Sequence, residues 1–322
     1  MSKYRHQLPQ LSEKTFITDG GLETTLVFHH GYDLPEFAAF DLFKHKDGYE
    51  IIRNYFVDYV KIAKANQTGF ILESPTWRAS RDWGGKIGYS PKDLKEINRL
   101  SITMLEEIRT QWEDDKTPMV ISGCIGPRGD GYTVENKMTA EEALRYHSEQ
   151  IDTFSETEAD LVSAFTINYV EEAIGITRAA RNAGIPVVIS FTVETDGRLP
   201  SGQSLGDAIT EVDRATANGP IYYMINCAHP SHFADRFAAD EPWLSRVRAI
   251  RANASTKSHT ELDKSTELDI GNPDKLGQDY ADLKACFSHL NIFGGCCGTD
   301  HHHVAAISRA VASPPPLCRI VA

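Results

Sequence analysis

Short apolar or β-branched runs recur along the whole chain, separated by stretches in which apolar positions repeat with a helical period. The runs read FITDGG from Phe16, GFILES near Phe70, MVISGCIG from Met119 and DLVSAFT near Leu161. PVVISFT near Val187, IYYMINC from Ile221, AIRANAS near Ile250 and LNIFGGCC from Leu290 follow. Runs that are apolar throughout, rather than alternating, suit parallel strands buried on both faces. Between them, GYEIIRNYFVDYVKIAKAN sets Ile51, Tyr55, Val57, Val60 and Ile62 around one helical stripe. Ser90 followed by Pro91 reads as an N-cap and first helical residue, and Thr139 with Glu142 as a capping box. Gly184 reads as a helix stop, with Pro186 opening the next strand. Eight strand–helix units predict an α/β fold, a single (β/α)8 TIM barrel, with residues 1–322 as one domain. The seventh run is short and basic. The polar stretch NASTKSHTELDKSTELDIGNPDK after it is expected to be a long loop, of a kind that often carries function. The tail SPPPLCRIVA is expected to lie outside the barrel.

Composition narrows the setting. The chain has 322 residues, 41% of them hydrophobic and 24% charged, which fits a globular protein with a large core. Its formal charge of −12 disfavours nucleic acid, whose phosphates it would repel. The N-terminal MSKYRHQLPQLSEKTF has no apolar signal core, and no run is long enough to span a bilayer. A cytoplasmic protein without a membrane partner is expected, and self-association into a homo-oligomer is left open. In that compartment the six cysteines are expected to be free, metal-bound or catalytic rather than paired.

In a barrel of this kind the working residues sit where strands end and βα loops begin. The first run ends on Asp19, Gly20 and Gly21, either a rim carboxylate with room for a ligand or a tight turn capping a helix. The second ends on Glu73, Ser74, Thr76 and Trp77. A glutamate in an apolar strand must pair or serve a site, because a lone buried charge is costly. No Rossmann fingerprint or phosphate-binding P-loop occurs. The sixth run ends on Cys227 and the eighth on Cys296 and Cys297, so a closed barrel can bring three thiols together. Such a set suits zinc with one position open for a substrate. His229 or the DHHH stretch from Asp300 would instead close the shell, and three unrelated buried thiols are a third reading.

At these residues the sequence resembles the homocysteine S-methyltransferase family, from TDGGLET near its start to GGCCGT near its end. The upstream NC at Asn226–Cys227 and the segment ISFTVETDGRLPSGQSL add to the likeness. The resemblance implies a zinc-dependent TIM barrel of methionine biosynthesis with Cys227, Cys296 and Cys297 as metal ligands. It implies a small-molecule thiol acceptor, homocysteine, and a cationic methyl donor of the sulfonium or betaine type. Asp19 would lie near homocysteine, and Asn226 would orient the first zinc ligand. Thr166 and Asn253 match retained positions. Trp77, Trp83, Tyr132 and Tyr169 are candidates for an aromatic cage around the donor cation.

Two positions depart from the family pattern. Phe165 stands where the family carries a glutamate that receives the amino group of homocysteine, and Glu73 or Glu194 is expected to substitute. The strand-seven segment ANAST replaces a PNSGE-like pattern, keeping Asn253. Two alternatives follow from Phe165: a different small thiol or selenol as acceptor, or a zinc-held thiol-binding protein without methyl transfer. DHHH is read as a helix start exposed to water.

Overall fold

A computed structural model describes residues 2–237 and 241–312. SPPPLCRIVA therefore lies outside the described residues. Every one of the eight expected runs forms a strand: Phe16–Ile17 (β1), Gly69–Glu73 (β2), Met119–Ile125 (β3), Leu161–Ile167 (β4), Val187–Phe191 (β5), Tyr222–Asn226 (β6), Val247–Ala252 (β7) and Ile292–Gly295 (β8). Neighbours pair in parallel in chain order, and β8 returns to β1 to close the barrel.

Closure explains why the runs are apolar at every position. Phe16, Ile71, Val120, Leu161, Val188, Met224 and Ile292 point inward and fill the barrel. Their immediate chain neighbours Ile17, Leu72, Ile121, Val162, Ile189, Ile225 and Phe293 belong to a second cluster shared with the helices. A period of two is present in space but hidden in the sequence, because both faces are dry.

The long helices are Gly48–Asn66 (α1), Pro91–Trp112 (α2), Ala140–Ser155 (α3), Val170–Ala183 (α4), Leu205–Thr216 (α5), Pro273–Cys286 (α6) and His301–Ala312 (α7). Ser90 and Thr139 cap α2 and α3 in reciprocal capping boxes with Asp93 and Glu142. Gly184 ends α4 at φ +66°, a left-handed conformation that glycine adopts without a Cβ penalty. Between β6 and β7 the described residues form short 3-10 turns, at Pro230–His232, Ala234–Arg236 and Pro242–Arg246, instead of a long helix. The expected loop after β7 contains one short helical turn, His259–Asp263, opened by a Ser258–Glu261 capping box. No helix among the described residues is long and apolar enough to cross a membrane. Cys124, Cys227, Cys296 and Cys297 are free thiols. Cys286 is disulfide-bonded, which corrects the expectation of unpaired cysteines; that expectation rested on compartment alone, which fixes no geometry.

The end of the barrel away from the strand C-termini is plugged by Tyr4 and Leu8, packed on the inward cluster. Asp160, just before β4, organises that end. Its fully buried carboxylate accepts from the Tyr4 N–H at 2.7 Å, the Ile121 N–H at 2.9 Å and Arg109 Nη1 at 2.8 Å. Asp160→Ala would leave Arg109 buried and unpaired. We expect a loss of ~3–5 kcal/mol in stability, read from the urea midpoint at unchanged m-value.

Candidate active site

The C-terminal ends of β6, β7 and β8 assemble the thiols. The Sγ atoms of Cys227, Cys296 and Cys297 all lie within 4.8 Å of one another. The main chain of β7 holds both partners. Cys227 N–H donates to the Arg251 carbonyl at 3.2 Å, Cys296 N–H to the Ala252 carbonyl at 2.8 Å, and Ala254 N–H to the Cys297 carbonyl at 3.1 Å. Cys227 sits at φ +54°, a left-handed conformation that costs a residue with a β-carbon roughly 1–3 kcal/mol. Its carbonyl is fixed by Asn253 Nδ2 at 3.0 Å and by His259 Nε2 at 2.5 Å.

Asn226 ties four strands together. Its Oδ1 accepts from the Thr166 N–H at 2.9 Å and from Ser190 Oγ at 2.6 Å. Its Nδ2 donates to Thr166 Oγ1 at 2.9 Å and reaches Cys296 Sγ at 4.0 Å. Asn226 thus faces Cys296 across the barrel rather than its own neighbour Cys227. Thr166, at φ +60° beside a bulge between β4 and β5, needs that support.

A cavity of about 580 Å³ opens beside the sulfurs. Asp19, Gly20, Gly21, Glu73, Ser74 and Trp77 line it, as do Thr166, Asn226 and Asn253. Thr76 does not. It is fully buried and donates its hydroxyl to the Cys124 carbonyl at 2.8 Å, bracing the end of β3. Tyr169 also lies off the cavity, accepting from the Met138 N–H. Trp77 and Trp83 do line it, but the cation against their rings is the chain's own Arg78, and Tyr132 is stacked on His259. The expected four-ring cage is therefore not assembled. His229 is turned to Ser231 and Asp279, and Asp300, His301 and His302 form a separate cluster, so neither group joins the three sulfurs. DHHH opens α7 with His301 and His302 exposed, and Asp300 accepts from the His302 and His303 N–H groups.

Two residues missed in the sequence govern the electrostatics. Arg251, buried in β7, places Nη2 2.8 Å from Asp19 Oδ1 and donates to the Gly20 carbonyl at 3.0 Å and, through Nε, to the Gly295 carbonyl at 2.9 Å. Burial works against its charge, but Asp19 and Glu73 prevail and hold its pKa above the usual arginine value. Tyr55 donates to Asp19 Oδ2 at 3.0 Å. Glu73 is differently placed: Ser163 Oγ donates to Oε1 at 3.2 Å, while Oε2 is buried without a partner. Burial pushes its carboxyl up to about 7. Phe165 faces the Arg251 guanidinium, 5.0 Å from its ring centre. A charged residue inside an apolar run was the available signal for Arg251, as it was for Glu73. His259 lies in a polar loop and carried none.

The family model described as homocysteine S-methyltransferase matches residues 16–311. The chain belongs to the homocysteine S-methyltransferase family. It is a methyltransferase with small-molecule substrates. Homocysteine S-methyltransferase 4 of Zea mays is 24% identical over 318 residues, covering 92% of this chain and 89% of the relative. Methionine synthase of Mycobacterium tuberculosis is 32% identical over 145 residues, 44% of this chain but only 11% of that longer protein. The oxidized form of the homocysteine methyltransferase MmuM from Escherichia coli superposes with a TM-score of 0.73 at 16% identity, covering 95% of this chain and 99% of the other. Its metallated form gives 0.71 at 15% identity, with 94% and 98% covered.

The glycines beside Asp19 serve this family member by close packing. Gly21 N–H donates to the Thr299 carbonyl at 3.0 Å, and a methyl group on Gly21 would stand 2.6 Å from the Cys296 carbonyl oxygen. Gly21→Ala must push the Cys296–Cys297 turn away from β1. The expected cost is ~1–3 kcal/mol in urea unfolding, together with faster modification of Cys296 by a thiol reagent.

Proposed function

We propose that this methyltransferase moves a methyl group from a sulfonium or betaine-type donor to the thiol of homocysteine, giving methionine, with zinc held by Cys227, Cys296 and Cys297. The observation that carries the reading is the convergence of the three sulfurs on one cavity. A tetrahedral zinc with bonds of about 2.3 Å needs sulfurs about 3.8 Å apart. Three thiols within 4.8 Å of one another meet that with small side-chain adjustments. Their chemistry fits as well, because zinc favours thiolates and three protein ligands leave a place for a fourth. When bound, zinc keeps coordinating thiols, a substrate thiol included, in the thiolate form at neutral pH.

The chain's own residues do the rest. Asn253 and His259 fix the Cys227 backbone, and Asn226 steadies Cys296, as groups around metal ligands commonly do. Glu73 receives the acceptor's ammonium through its unpartnered Oε2. Asp19 is less free for that task, since Arg251 and Tyr55 engage its two oxygens. Glu194 is bonded to His259 and does not line the cavity. The aligned acceptor sulfur forms the new S–C bond as the donor's C–S⁺ or C–N⁺ bond breaks, and the departing electron pair neutralises the donor. Positioning in a closed cavity supplies much of the rate.

Cys297→Ala is expected to abolish both zinc retention and methionine formation, checked by metal analysis and product assay. Full turnover in the metal-free variant would rule the mechanism out. For Glu73 the sign is set by the ammonium, which binds the carboxylate and not the neutral acid. With a carboxyl titrating at about 7, KM for homocysteine should fall as pH rises through that value. Glu73→Gln should flatten the profile and raise KM roughly tenfold or more, with kcat less affected. 4-Mercaptobutyrate, which lacks the amine, should be insensitive to both changes. If it outperforms homocysteine in the wild type, the acceptor is a thiol without an amino group.

A further inference from the structure

Arg78 follows Trp77 after the end of β2, and its side chain has no part in the mechanism above. It is 6% exposed and lines the same cavity as the three cysteines. Its guanidinium carbon lies 3.8 Å from the Trp77 ring centre and 3.5 Å from that of Trp83, and Lys86 Nζ lies over Trp83 as well, at 3.7 Å. Among the described residues its only hydrogen bond is a long one, from Nη1 to the Gly129 carbonyl at 3.4 Å. Nε is buried without an acceptor. The charged groups that act on it, Asp130, Glu23 and Glu36, do so from beyond ion-pair distance, with the Tyr132 hydroxyl beside them. Asp130 accepts from the Tyr132 and Thr133 N–H groups, and burial pushes the Glu23 carboxyl up to about 7.

A guanidinium this buried ordinarily has a carboxylate partner. Here two indoles cover its faces and leave the in-plane N–H fork, the edge that matches a carboxylate through two parallel hydrogen bonds. We propose that Arg78, clamped by Trp77 and Trp83, is a carboxylate-binding subsite of the cavity that receives the carboxylate of a small-molecule substrate. Burial lowers the pKa of Arg78 only to about 10, so it stays charged at neutral pH. The subsite would select substrates bearing a free carboxylate over uncharged analogues. It rests on reading the cavity as a substrate site, but not on turnover. Acceptor and donor can each carry the carboxylate, since homocysteine and S-methylmethionine both have one.

The test is calorimetric titration of the full chain, as wild type, Arg78→Gln and Arg78→Lys. The probes are homocysteine, S-methylmethionine and the carboxamide of each. Arg78→Gln is expected to weaken at least one of the two acids roughly tenfold or more while leaving its amide unchanged. Arg78→Lys should recover part of the loss, keeping the charge without the fork. A loss confined to S-methylmethionine assigns the carboxylate to the donor, and one confined to homocysteine assigns it to the acceptor. Equal weakening of acid and amide, or no weakening of either acid, overturns the proposal. If Arg78→Gln melts early, the Lys variant carries the same comparison, with acid-selective loss in support and its absence against. Tight, Arg78-dependent binding without product from any donor would defeat the methyl-transfer reading and leave the subsite standing.

Discussion

The end of β7 is the constraint on which the site depends. Its backbone lies between two strands that each bring cysteine, and it bonds to both: Arg251 and Ala252 accept from Cys227 and Cys296, and Ala254 donates to the Cys297 carbonyl. The Arg251 side chain then reaches the Asp19 turn beyond β8, contacting the Asp19 carboxylate and the Gly20 and Gly295 carbonyls. Strand closure alone would place three thiols near one another. This lattice sets their backbones so that the sulfurs meet, and it holds Cys227 in a conformation that a free chain would abandon.

That arrangement puts charge where a barrel ordinarily has apolar filling. Arg251 and Asp19 largely neutralise each other, with Tyr55 sharing the carboxylate. Glu73 is not paired in that way, and its raised carboxyl expresses the cost of burying it. An imperfectly solvated carboxylate is a poor contributor to stability and a good partner for an incoming cation. The loss of a glutamate at Phe165 is understandable on these terms. A second acid beside Glu73 and Asp19 would have faced only one arginine, whereas Phe165 packs its ring against that arginine at no electrostatic cost.

The fold was legible because burial on both faces writes itself directly into composition: all eight apolar runs became strands, even the basic seventh. Three of the helix boundaries came from capping chemistry that is local by nature, at Ser90, Thr139 and Gly184. The thiol cluster was legible because strand ends in a closed barrel have known neighbours. The rest depended on partners far apart in the chain. Thr76 sits among site residues in sequence, but the twist of the chain after β2 turns its hydroxyl onto Cys124. Trp77 and Trp83 read as a cage for a foreign cation, while the adjacent Arg78 occupies their rings. Aromatic residues at a rim report an affinity for cations and say nothing about whose cation it is.

The two ends of the barrel show why such an arrangement can persist. At the closed end Asp160 satisfies Arg109, two backbone amides and the N-terminal segment at once, a fully bonded network of the kind that rigidifies a core. At the open end Glu73 Oε2, Asn253 Oδ1 and Arg78 Nε are buried without partners, and Cys227 and Thr166 stand in left-handed backbone conformations. Unsatisfied polar groups and backbone strain are both destabilising, and they are found together where substrates would be met. The sheet that separates the two ends is closed and dry on both faces, so strain at one end is borne by packing along the whole strand. A less continuous core would relax by letting the three sulfurs drift apart.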